Sequence, residues 1–306
     1  MSVVEVVALF GRPDSGTVGW AIVMAVAACC CYATSAVLQE REAARPDAGG
    51  TAHILHLLRR PMWWVAVLAT IAAAGLHIGA LALGPLTLIQ PLGVLTLVLA
   101  LPLGARLAGR VVTRAEWGAA VAVALGLAAV LSVAPHRAPA LTHSAGVVLG
   151  TAAVVAGVAA GLATIATRLP RRVAPVVFAV AAATCFGFAS GMARMTVTGM
   201  GPLLVTGPLA VAGAVAGLAL AQFAYRDGGL GAPLATLNLV DPMVAVIIGV
   251  TVLDEPLQLA PGPVALGLSG LVATSVGIWV LARAPAAGVA PAQPPDAHVR
   301  DGRPAG

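Results

Sequence analysis

The sequence predicts an all-α polytopic membrane protein of about nine transmembrane helices, arranged as a 4+1+4 inverted repeat. Three observations carry this. Hydrophobic residues make up 59% of the 306, 35 glycines add positions that cost nothing in lipid, and charged residues reach only 9%, where a soluble domain carries about 25%. Nine uncharged stretches are long enough to cross hydrocarbon, which needs about 20 apolar residues each. Two segments, one in each half, repeat the same order of Gly, Pro, a polar residue followed by Pro, and an apolar helix. A water-soluble fold needs a polar shell, which 17 Arg, 12 acidic residues and no Lys cannot supply, so a soluble enzyme or a nucleic-acid binder is excluded.

Residues 1–16 form a short extracytoplasmic amino-terminal segment, because their apolar run is broken by Glu5 and has no basic start, so it is neither a span nor a signal peptide. The first four-helix unit, 17–134, holds spans at 17–38, 62–83, 85–105 and 117–134. A linker helix follows at 145–166. The second unit, 173–282, holds spans at 173–193, 201–223, 231–252 and 262–282. The end, 284–306, is Ala, Pro, Gly and charge without periodicity, which reads as a disordered cytoplasmic tail.

Sorting the 17 Arg by side places Arg12, Arg137 and Arg194 on one face of the membrane and the other fourteen on the opposite face. Short basic loops stay cytoplasmic, so the amino end lies outside and the carboxyl end inside the cytoplasmic membrane. The basic pI of 9.7 is then a topology signal and an attraction to anionic lipid rather than a sign of a nucleic-acid partner.

The two similar segments are Leu83 to Leu107, with Gln90-Pro91, and Leu230 to Leu257, with Asp241-Pro242. Pairing them makes span 3 the counterpart of span 8 and span 4 of span 9, with spans 1 and 2 matching 6 and 7. The unpaired span 5 inverts the second unit, and such repeats place a transport site at their interface near the midplane, where Pro or Gly breaks the helices. Four GxxxG pairs, at Gly146 and Gly150, Gly157 and Gly161, Gly187 and Gly191, and Gly213 and Gly217, promise close helix contacts and leave a homodimer open. Cys29, Cys30, Cys31 and Cys185 all fall inside spans and read as packing residues.

The stretch GPLTLIQPLGVLTLVLALPLGARLAGR from Gly84, the following TRAEWGAAVAVALGLAAVL, the segment LNLVDPMVAVIIGVTVLDEPLQL and AVLQEREAAR at the end of span 1 together resemble the drug/metabolite transporter superfamily. The resemblance covers about residues 17 to 283 and is strongest to its EamA-like, actinobacterial and nine-span NIPA-type magnesium-transporter members. It implies a DMT-like bundle and a transport activity, with the substrate open. The family's second-half helix usually ends in Gly-Glu, where this chain has Asp254-Glu255. The first-half turn has Gly104-Ala105 where an acid is expected, so the paired carboxylates are missing.

Asp241 is the only carboxylate placed well inside an expected span, and leaving it ionised there costs at least ~2.5 to 3.5 kcal/mol unless it faces a cavity or a partner. It could take up and release a proton as access alternates. Pro242 has no backbone N–H to donate and frees a carbonyl of the turn before it, and Asn238 shares the face of Asp241. Gln90 and Pro91 are the neutral counterparts in the first half. His77 in span 2 is a candidate relay or ligand. Secondary candidates are Arg194, Gln222, Tyr225 and Glu255. His53 and His56 sit in an expected interfacial helix, and Trp63, Trp64 and Trp117 read as interfacial anchors.

These residues point to a secondary transporter that moves a small solute or cation, with H+ or Mg2+ as candidate ions and no cofactor. A NIPA-like magnesium transporter is the narrower alternative, with Asp241, Asn238, Gln90 and freed carbonyls as oxygen ligands. A non-transporting assembly or regulatory subunit is the alternative from another class. No HExxH, P-loop or nucleophile–base motif occurs, so an enzyme is not expected.

Overall fold

The computed structural model describes residues 15–45, 51–83, 92, 93, 95–131, 144–198, 201–252 and 261–283. These residues form helices α1 (Ser15–Ala43), α2 (Thr51–Leu58), α3 (Pro61–Leu83), α4 (Leu95–Leu107), α5 (Arg114–Leu131), α6 (Ala145–Ala166), α7 (Ala174–Thr198), α8 (Leu203–Gly228), α9 (Gly231–Val252) and α10 (Pro261–Leu281), with no strand among them. Seven helices, α1, α3 and α6 to α10, are long and apolar enough to cross a membrane. The span expected at 85–105 is represented by the 13-residue α4, upstream of which residues 84–91 lie outside the described residues. The span expected at 117–134 is represented by the 18-residue α5, which opens on a charged turn. The amino-terminal segment 1–14 and the tail 284–306 also lie outside the described residues.

Local chemistry sets several helix ends. Thr113 and Glu116 cap α5 reciprocally: the Glu116 N–H donates to Thr113 Oγ1 at 3.2 Å, and the Thr113 N–H donates to Glu116 Oε2 at 2.8 Å. Gly109 follows α4 with φ 69° and Gly229 follows α8 with φ 64°, left-handed positions that glycine fills without a Cβ penalty. At its other end α1 runs to Ala43, past the expected boundary at 38. The extension carries two acids, Glu40 and Glu42, and both are buried. Glu42 pairs with Arg45 at 3.0 Å and Arg60 at 3.3 Å, while Glu40 feels the charges of Arg41 and Arg110. Pairing of this kind is what lets a carboxylate sit in a helix end without water.

Tertiary packing is pairwise. α1 lies along α3, α7 along α8, and α5 along α10, with α9 against α7, α6 against α7 and α4 against α1. Outward faces remain apolar, with Ile71, Leu125, Val154, Val211 and Val272 all exposed, as expected of a bundle whose surroundings are lipid rather than water. The GxxxG expectation divides. A Cβ on Gly217 would stand 3.0 Å from the Ala182 carbonyl oxygen, and Gly187, Gly191 and Gly213 are similarly close to neighbours. On α6 the expectation of close packing is corrected: Gly150, Gly157 and Gly161 face open space.

Apolar contacts are distributed unevenly along the bundle. The largest cluster draws on both halves, with Ala36, Val37, Leu97, Leu101 and Val123 from the first packed with Ala182, Ala224, Leu234, Ala235 and Leu281 from the second. Its members lie toward the ends of the helices that carry Arg41, Arg226 and Arg283. At the opposite end are two separate clusters among the described residues. One is built from Ala21, Ala25 and Ala80 of the first half, and the other from Val148, Phe188, Met192, Met195 and Ile248 of α6, α7 and α9. Leu127 and Leu239 join the halves between these levels.

Candidate functional site

α9 carries Asp241 and Pro242 in its middle. Proline has no N–H, so the Asn238 carbonyl, four residues earlier, loses the helix bond it would otherwise accept. The Asn238 side chain is also left over: its buried Nδ2 has no hydrogen-bond partner among the described residues. Asn238 thus presents a free acceptor and a free donor one turn from the Asp241 carboxylate, an arrangement suited to a polar guest and costly without one.

The backbone of α7 runs against this turn of α9. A Cβ on Gly187 would stand 2.6 Å from the Asp241 carbonyl oxygen and 2.7 Å from Val244 Cβ, so only glycine permits the approach. From the other half, the Tyr32 phenol on α1 lies within range of the Asp241 charge. Among the described residues no ion pair reaches Asp241. No group of three or more His, Cys, Asp or Glu is assembled among them for a metal.

A second polar group lies on the Arg-rich side of this level. Gln222 of α8 is fully buried; its Oε1 accepts from Trp63 Nε1 at 3.2 Å, and its Nε2 donates to Gln39 Oε1 at 2.9 Å and to the Leu218 carbonyl at 3.0 Å. Gln39 Nε2 donates to Ser35 Oγ at 2.9 Å and to Thr70 Oγ1 at 3.2 Å. The Ser35 and Thr70 hydroxyls are 2.6 Å apart, and Ser35 Oγ also donates to the Ala66 carbonyl at 2.6 Å. Five side chains from α1, α3 and α8 therefore satisfy one another inside an apolar bundle, which raises the cost of losing any one. Tyr225 is buried one turn further along α8, within range of the Glu40 charge.

The structure thus brings Asp241, Asn238 and Pro242 together and adds Tyr32, which the sequence did not single out, and Gly187, which it marked only as a GxxxG glycine. Gln222 joins a network whose other members, Ser35, Gln39, Trp63 and Thr70, were missed as site residues. The spacing of Ser35 and Gln39, four apart in an apolar helix, is the signal that could have found them. Trp63 is corrected from an interfacial anchor to a buried donor, whereas Trp64 is exposed and donates to the Leu58 carbonyl at 2.9 Å. His53 is corrected from an interfacial position to a fully buried one, its ring 6.0 Å from that of Phe223. His77 is half-buried on α3, with no hydrogen bond to the Asp241 group. Gln90, Pro91 and Glu255 lie outside the described residues, as does the side chain of Arg194.

The chain is similar to a protein of Corynebacterium glutamicum described as uncharacterized, with 28% identity over 269 residues, covering 82% of this chain and 91% of the relative. No family model matches the chain. No solved structure matches it.

Proposed function

We propose that the chain is a secondary transporter of the cytoplasmic membrane, of the drug/metabolite type, moving a small solute or cation by alternating access through a site at Asp241. The observation that carries this reading is an Asp241 with no ion pair among the described residues, one turn from the unpartnered Asn238 Nδ2 and next to Pro242 inside α9. A purely structural carboxylate in an apolar helix is expected to have a partner.

The packing pattern supports the nine-span repeat. Under the exchange of spans 1, 2, 3 and 4 with 6, 7, 8 and 9, the α1–α3 pair maps onto α7–α8, α1–α4 onto α7–α9, α4–α5 onto α9–α10, and α5–α10 onto itself. All of these pairs are in contact. Related segments also meet related helices. Cys29 Sγ of α1 donates to the Leu92 carbonyl at 3.1 Å, beside the first-half Gln90-Pro91, as Gly187 of α7 meets the Asp241 carbonyl in the second half. In this reading the amino end is outside and the carboxyl end cytoplasmic, and no enzymatic step is involved.

A panel of solutes tested on purified protein in liposomes, under imposed proton and Mg2+ gradients, examines the proposal and separates the magnesium alternative from organic solutes. Flux of a solute or of Mg2+ above protein-free liposomes supports it. Absence of any flux, with the protein folded, turns the assignment toward an assembly or regulatory subunit.

A further inference from the structure

We infer that the Gln39–Gln222–Trp63 hydrogen bonds are a latch that holds the two halves together on the Arg-rich side of Asp241 and must break before a bound solute can leave by that side. The inference rests on the transporter reading above and specifies how its site is closed.

Three independent observations carry it. The bonds cross between the halves, because Gln39 and Trp63 belong to α1 and α3 of the first and Gln222 to α8 of the second. Apolar packing among the described residues shows the same asymmetry: the largest cluster shared by both halves lies at the Arg-rich end, a small one joins Leu127 to Leu239 near the level of Asp241, and of the two clusters at the other end one belongs to the first half and the other to α6 and the second half. Position along α1 is the third. Tyr32 lies within range of the Asp241 charge, and Ser35 and Gln39 follow three and seven residues later, about 5 and 10 Å along the helix axis toward the Arg-rich end. The network is therefore a floor beneath the site rather than part of its wall.

Its chemistry suits a reversible closure. Every member is neutral, so separating the halves exposes amides, hydroxyls and an indole N–H that water can satisfy, without stripping a partner from a buried charge. The amide bonds are directional and fix the register of α8 against α1 when closed. Ala235 of α9 is fully buried in the shared cluster one turn from Asn238, on the side of the latch, and becomes reachable only if the halves part there.

Labelling of a buried cysteine tests this. In the full chain with Cys29, Cys30, Cys31 and Cys185 changed to Ala, Ala235→Cys is exposed to a membrane-impermeant maleimide from each face of sealed vesicles. With the latch intact, labelling from the Arg-rich face is slow. Adding Gln222→Leu, which removes the amide and keeps the bulk, is expected to speed it at least tenfold from that face and leave the other face unchanged. Trp63→Phe, which removes one donor and keeps an aromatic ring, is expected to give a smaller increase and decides the matter if the Gln222 variant fails to fold. Unchanged labelling in folded variants overturns the latch, even where flux through Asp241 is established. Faster labelling together with flux that ignores Asp241→Asn upholds the latch and removes the site assigned to Asp241.

Discussion

Gly187 and Asp241 are held so close that a single added methyl group on the glycine would stand 2.6 Å from the Asp241 carbonyl oxygen. That contact fixes α7 against α9 at the level of Pro242, which lies inside α9. The position of the carboxylate therefore depends on a residue with no chemistry of its own.

Gly187→Ala is accordingly expected to destabilise the protein by about 1 to 3 kcal/mol through overpacking, despite the better helix propensity of alanine. Gly157→Ala on α6 meets open space and serves as the control, with stability unchanged or slightly raised. Thermal melting of the purified variants in detergent distinguishes them. Equal melting temperatures would show that the two helices are not in close contact at Asp241.

Glu116 closes the α5 cap and holds Arg110 at 2.9 Å. Removing the carboxylate in Glu116→Ala leaves the Thr113 N–H and the guanidinium without their acceptor, a loss of about 1 to 2 kcal/mol given the partial exposure of Arg110. Glu116→Gln, which still accepts one bond, should lose less. A cap that contributes nothing would leave all three proteins equally stable.

The arginine distribution predicts that a reporter fused after Pro139 lies outside and one fused after Arg283 lies in the cytoplasm. Paired fusions read as enzyme activity on intact cells check this. Two cytoplasmic signals would exclude the nine-span arrangement.

Gln90 occupies the first-half position equivalent to Asp241 in the sequence repeat. Installing an acid there, Gln90→Glu, should shift the pH profile of flux if the two positions line one cavity at the repeat interface. A folded variant with an unshifted profile would separate them.

Some of this architecture was readable from the chain alone. Apolar length reveals a span, and a single acid beside proline in such a stretch stands out, which is why Asp241, Pro242 and Asn238 are legible as candidates. Residues whose role depends on which helix lies opposite were not. Tyr32 looks like any aromatic in an apolar helix, and Gly187 is one of 35 glycines until α9 is seen against it. Gln39 falls one residue past the span expected at 17–38, where Glu40 and Arg41 end the uncharged stretch, yet α1 continues to Ala43 with Glu40 buried. Trp63 borders the span as an anchor would, but its indole turns inward to Gln222. The GxxxG spacing marks glycine faces without saying which of them meet another helix, and α6 shows the difference.

Use of the Asp241 carboxylate in transport is what separates a transport site from a structural one. Asp241→Asn keeps the size and hydrogen-bonding capacity of the side chain but cannot ionise, so its flux in proteoliposomes, compared with that of the parent under the same imposed gradient, is the most direct measurement. A folded variant with coupled flux reduced at least a hundredfold and with no remaining pH dependence is the predicted result. Parental flux and an unaltered pH dependence would assign Asp241 to structure and contradict the transport site.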